Sequence, residues 1–132
     1  MVIRKIMTNN EIYTYATNLL EAFKNIDELK MPVKVHFYFQ KNMNSIVAMA
    51  QDIEKSRNEV LQKYGTIDGE THNYTFANED IDKINSDITD LFSLEQEVKI
   101  HVIPMEWVEN MELTAKQVAA FSFMIEEETE EE

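Results

Sequence analysis

PVKVHFYFQKNMNSIVAMAQDIEKSRNEVLQKY, residues Pro32 to Tyr64, decides the fold. Phe39, Met43, Ile46, Ala50, Ile53, Arg57, Val60 and Tyr64 follow one another at steps of four and three, which places all eight on one side of a helix. Val47 and Leu61 widen the stripe beyond a bare coiled-coil line. Pro32 suits the first turn, where a missing N–H loses nothing. The opening of the stretch argues otherwise: Val33, Val35, Phe37 and Phe39 alternate with Lys34, His36, Tyr38 and Gln40, the pattern of a half-buried strand. The seam that starts at Phe39 meets no breaker, and this decides for helix. Such a rod would run roughly 50 Å, against about 30 Å for the diameter of a small domain. Its apolar edge therefore needs cover from the rest of the chain or from other copies, and a homo-oligomer is expected.

Outward from this helix, the remaining elements are shorter. Val2 to Ile6 reads as a strand, and Thr8 with Glu11 has the spacing of a capping box. Ile12, Ala16, Leu19, Leu20 and Phe23 make 10–24 an amphipathic helix, stopped at Asn25, with 26–31 as a connector holding one extra turn. On the other side, Gly65 is expected to end the long helix in a left-handed cap, and Asp68-Gly69 to form a turn. His72, Tyr74 and Phe76 alternate as a short strand would. Asn78 is placed to cap a helix over about 79–93, whose inner face is Ala77, Ile81, Ile84, Ile88 and Leu91. Val98, Ile100 and Val102 predict a strand closed by Pro104. Met105 to Leu113 reads as irregular or a single turn around Trp107. Thr114 and Gln117 form a second capping box, and Val118, Phe121, Ser122 and Ile125 are the expected inner face of the last helix. The fold class is mainly α within α+β: a long central helix, two or three shorter ones and a small two- or three-stranded sheet. One helical domain is assigned to 1–125 and a solvated acidic tail to 126–132.

Composition narrows the function. With two glycines, four residues apart, no glycine-rich phosphate loop is available. Cysteine is absent, which removes disulfides, thiolate zinc sites and cysteine nucleophiles. No apolar run reaches the length of a membrane span, and the first residues are too few for a signal peptide, so a cytoplasmic protein without a membrane role is expected. Residues 1–63 carry nine Lys or Arg against seven Asp or Glu, while 64–132 carry three against eighteen. The acidic half would repel a phosphate backbone, so direct nucleic-acid binding is not expected. The polarity favours head-to-tail association or a basic partner.

Ligand-binding candidates lie on the long helix. Lys34, Tyr38 and Lys41, joined by Ser45, share the face opposite the seam, where two cations and an aromatic at one-turn spacing suit a phosphate-bearing ligand. The plain alternative is a solvated face. His36 lies nearer the seam. Arg57 interrupts the seam itself, either as an anion ligand or a register-fixing buried partner, or with its head turned to water or Glu54. Histidines 36, 72 and 101 show no metal-ligand spacing. Asp80, Asp82 and Asp87 fail a calcium loop, because Ile84 and Asn85 stand where an oxygen ligand and a glycine are needed. No metal, no cofactor and no catalytic residue is assigned, and an enzyme is not expected.

Leu29-Lys30-Met31-Pro32-Val33-Lys34-Val35, Arg57-Asn58-Glu59-Val60-Leu61-Gln62-Lys63-Tyr64-Gly65, Asp68-Gly69, the valine-rich strand, Leu113-Thr114, Phe123-Met124-Ile125 and the glutamate tail together carry a resemblance. The chain resembles a family of small proteins encoded by tailed phages and prophages of Gram-positive bacteria, with a shortened loop after Gly65 and an isoleucine-rich third helix. The resemblance implies a phage accessory protein acting in the infected cell and assigns no catalytic residue. The expected function is counter-defence by binding and sequestering a host immune factor, a nucleotide signal or a defence protein. The alternative is a structural or chaperone role in virion assembly.

Overall fold

The computed structural model describes residues 1–24, 30–67, 69–70 and 74–126. The elements run β1 (Val2–Thr8), α1 (Asn9–Ala22), α2 (Val33–Tyr64), β2 (Thr66–Ile67), β3 (Tyr74–Thr75), α3 (Ile81–Ser93), β4 (Glu95–His101), α4 (Met105–Val108) and α5 (Ala115–Phe121). The expected stop at Asn25, most of the 26–31 connector, Asp68, His72 and the tail beyond Glu126 lie outside the described residues.

α2 is a single 32-residue helix, so the alternation over 33–39 is a helical segment and not a strand. Pro32 sits one position before the first turn with extended backbone, and its carbonyl accepts from the His36 N–H at 2.9 Å. The buried seam is Val35, Phe39, Asn42, Ile46, Ala50 and Ile53. Met43, Val60, Tyr64 and Arg57 are only half-buried. The rest of the chain covers this seam: α1, α3, β4 and α4 all pack on α2. Its length therefore places no demand on other copies.

At the other end of α2 the expected left-handed cap is replaced by extended backbone, with Gly65 at φ −99°. Close approach explains the glycine. A Cβ there would lie 2.6 Å from the Phe76 ring and 2.7 Å from the Leu61 carbonyl oxygen.

α1 and α5 start as their sequences dictate. Thr8 and Glu11 exchange both capping-box bonds, and so do Thr114 and Gln117. α3 differs: 78–80 winds as a 3₁₀ turn, and neither Asn78 nor Asp80 gives a side-chain cap. The tight turn already uses the Asp80 N–H, which donates to the Ala77 carbonyl. On α3, Ile84 is buried and Ile88 and Leu91 are half-buried, while Ile81 and Ala77 stay exposed.

β1 and β4 pair antiparallel, with Ile3 opposite Ile100 and Lys5 opposite Val98. Val98 and Ile100 point into the core, and the alternate residues of β4 point away. β2 and β3 form a second, two-residue pair. The helical ending departs from the reading at α5. The chain tightens to 3₁₀ at 122–124, so Phe121 and Met124, three apart, share the buried face with Ala120. Val118 and Ser122 are left exposed.

The centre of the core is a trio of rings from three elements. Phe39 of α2 lies 4.7 Å from Phe23 and 5.5 Å from Phe121 between centroids. No helix among the described residues is long and apolar enough to cross a membrane.

Candidate functional site

Helical spacing on α2 brings Lys34, Tyr38 and Lys41 to one face. That face is not simply solvated. β4 and α4 pack against its N-terminal half and place two further rings there. Tyr38 stacks with both His101 and Trp107, with centroids 5.8 Å away in each pair and interplanar angles of 14° and 13°. Lys34 Nζ sits 5.3 Å from the Trp107 ring centroid, a cation–π distance. Lys41 Nζ lies 4.9 Å from the exposed Phe37 ring. All three stacked rings are half-buried, so each leaves part of its edge or face open to solvent.

A backbone contact fixes His101 in this stack. The Asn42 side chain donates to the His101 carbonyl and accepts from the His101 N–H, both at 2.8 Å. This is the bonding that a neighbouring strand would provide along the edge of β4. Asn42 is almost fully buried.

Burial, then the nearby Lys41, Lys99 and chain N-terminus, holds the His101 imidazole below its ordinary range. It therefore takes up its proton more readily once unfolded. Its contribution to stability is then complete above about pH 6.5, the unperturbed histidine value, and is lost as pH falls through the folded value. Urea denaturation from pH 7.5 to 5.5 is expected to show a steeper loss for the native protein than for His101→Phe, which keeps a ring in the stack. The added slope is at most about 1.4 kcal/mol per pH unit. Equal slopes would show that His101 does not titrate in this way.

The other two residues expected at the site do not join it. His36 is exposed and outside the stack. Arg57 stands sixteen positions beyond Lys41 on α2, roughly 24 Å along the helix. It donates to Glu54 at 3.1 Å, and the second oxygen of Glu54 accepts from the Tyr13 hydroxyl at 3.0 Å. Arg57 is thus a partner in a surface-edge network joining α1 to α2, with its head at Glu54. The Glu54 carboxylate in turn raises the Tyr13 hydroxyl above its usual range.

Trp107 and His101 are the residues that sequence reasoning missed as part of this site. An isolated tryptophan in an irregular segment was the one available signal. Among the described residues no group of three or more His, Cys, Asp or Glu is placed to hold a metal ion. No protein-family model, curated protein or solved structure matches this chain.

Proposed function

We propose that this chain is a non-catalytic accessory protein of a tailed phage that acts in the host cytoplasm by sequestering an immune factor, a nucleotide signal being the ligand of its basic aromatic face. One observation carries the ligand: a ring stack of Trp107, Tyr38 and His101 with Lys34 and Lys41 beside it. Planar rings take up a base by stacking, worth about 1–3 kcal/mol per base in nucleic-acid sites. The ammonium groups attract its phosphates. The phage assignment is supported by the resemblance around Leu29 to Val35 and Arg57 to Gly65. The uneven charge supports pairing of copies head to tail as part of the same reading, and light scattering on the purified protein reads it directly.

Thermal melts with cyclic and ADP-ribose-derived nucleotides test the ligand. A rise of several degrees is expected with at least one of them, since a ligand at a hundred times its Kd adds about 2.7 kcal/mol. Lys34→Ala and Lys41→Ala should each reduce that rise, and Arg57→Ala should leave it intact. No rise with any nucleotide would retire the small-ligand reading. Phage survival in defended and undefended hosts, with and without the gene, separates counter-defence from assembly: loss of virions in an undefended host would favour assembly.

A further inference from the structure

Between α4 and α5 lies an apolar groove of about 690 Å³, with Trp107 not among its lining residues. Met105, Val108, Met111, Leu113, Val118 and Phe121 line it, with Glu126 at its edge. Val118 is 51% exposed although it lies on an amphipathic helix. Its neighbours are acidic: Glu106, Glu109 and Glu112 alternate with the lining residues and are exposed. From Met105 onward the sequence holds nine glutamates and a single lysine, Lys116, which is ion-paired with Glu21 of α1.

Three candidate occupants fail on charge. The segment 127–132, five glutamates and a threonine, would set like charge against an acidic surround and has no apolar side chain to fill the groove. A fatty acid or phospholipid would bring its own anion to a groove lined by Glu126 and built from a segment that also exposes Glu106, Glu109 and Glu112. The same groove of a second copy would set like charges face to face.

We infer that this groove docks an amphipathic helix from another protein, one with apolar side chains on one face and lysines or arginines flanking them. Apolar anchors at helical spacing would enter between α4 and α5, and the flanking cations would meet the glutamates. The two methionines at the groove are flexible and polarisable, which suits an apolar face of varied shape. This inference does not depend on the nucleotide reading, none of whose residues lines the groove.

Fluorescence anisotropy of the full-length protein with synthetic peptides of about 15 residues, long enough to be helical on a surface, provides the test. Three peptides are compared: Leu/Lys in amphipathic order, Leu/Glu in the same order, and Leu/Lys scrambled. The ordered Leu/Lys peptide should bind at least about tenfold tighter than either other, and its affinity should fall between 50 and 300 mM salt, concentrations chosen to span the screening range. Val118→Lys should weaken it by about tenfold or more, as loss of an interface anchor does, with the melting temperature unchanged. Val118→Leu should retain it. Equal binding of the scrambled or acidic peptide, or unchanged binding by Val118→Lys, would overturn the inference. So would conversion of an oligomer to monomers by Val118→Lys, because a second copy would then be the occupant.

Discussion

Phe39→Ala is expected to lower stability by about 3–5 kcal/mol, the usual loss when a buried phenylalanine is truncated. Phe39 is fully buried between Phe23, which closes the end of α1, and Phe121 of α5, so its removal opens a void where three parts of the chain meet. Domains are stable by about 5–15 kcal/mol, so the loss takes a large share of what holds this one together. The melting temperature should fall by roughly 10–20 °C. Phe37→Ala provides the contrast that makes the measurement decisive. In a strand, residues two apart share a face, and both phenylalanines would matter alike. In a helix they point some 200° apart, and Phe37 is 55% exposed, with the Lys41 ammonium and the neighbouring Tyr38 ring beside it. Its truncation should therefore stay within about 0.5 kcal/mol, the range of ordinary surface changes. Comparable losses at 37 and 39, read by urea denaturation, would contradict the helix through this segment.

The same pair shows how far the sequence could be read. Phe39, Ile46, Ala50 and Ile53 keep the four-three rhythm, and burial follows it. Residues 33–39 satisfy both the period of two and the period of 3.6. A window this short cannot separate them, and the continuous seam beyond Phe39 decides. Met43 was assigned to the seam because it is apolar, whereas Asn42, one step away, is the residue buried there. Polarity alone could not reveal that the edge of β4, some sixty residues later, needs a donor and an acceptor at this point. The last helix failed for a local reason. A change from α to 3₁₀ at Ser122 shifts the buried face, and no residue there announces the change.

Half of the candidate site was legible and half was not. Lys34, Tyr38 and Lys41 share one helix face by spacing alone. Trp107 and His101 reach Tyr38 only through the packing of α4 and β4 on α2, which no periodicity encodes. Arg57 belonged to the legible part in its plainer reading, because Glu54 stands three residues before it and i,i+3 pairs meet on a helix. The fold separates it from the basic face that composition had grouped it with.

Asn42→Leu is expected to destabilise by about 2–5 kcal/mol, although it puts an apolar side chain of similar size into the core. The reason is that the His101 N–H and carbonyl would both lose their partner at a half-buried position beside a buried side chain, and each unpaired backbone group costs about 1–3 kcal/mol. Asn42→Ala should lose as much and leave a small void besides. Asn42→Asp separates the polar contribution from packing. Its carboxylate still accepts from the His101 N–H but faces the His101 carbonyl as one acceptor against another. Burial also raises the aspartate above its usual range, so the variant gains back stability as pH falls and the carboxyl becomes protonated. The deficit of Asn42→Asp against the native protein should therefore shrink from pH 7.5 to 5, while that of Asn42→Leu changes little over the same range. Because Asn42 holds His101 in register beside Tyr38, all three variants should also weaken any nucleotide-induced rise in melting temperature. An Asn42→Leu protein within 0.5 kcal/mol of native, the ordinary surface range, would show that the His101 backbone finds other partners. The stack would then stand without the side chain that now fixes its edge.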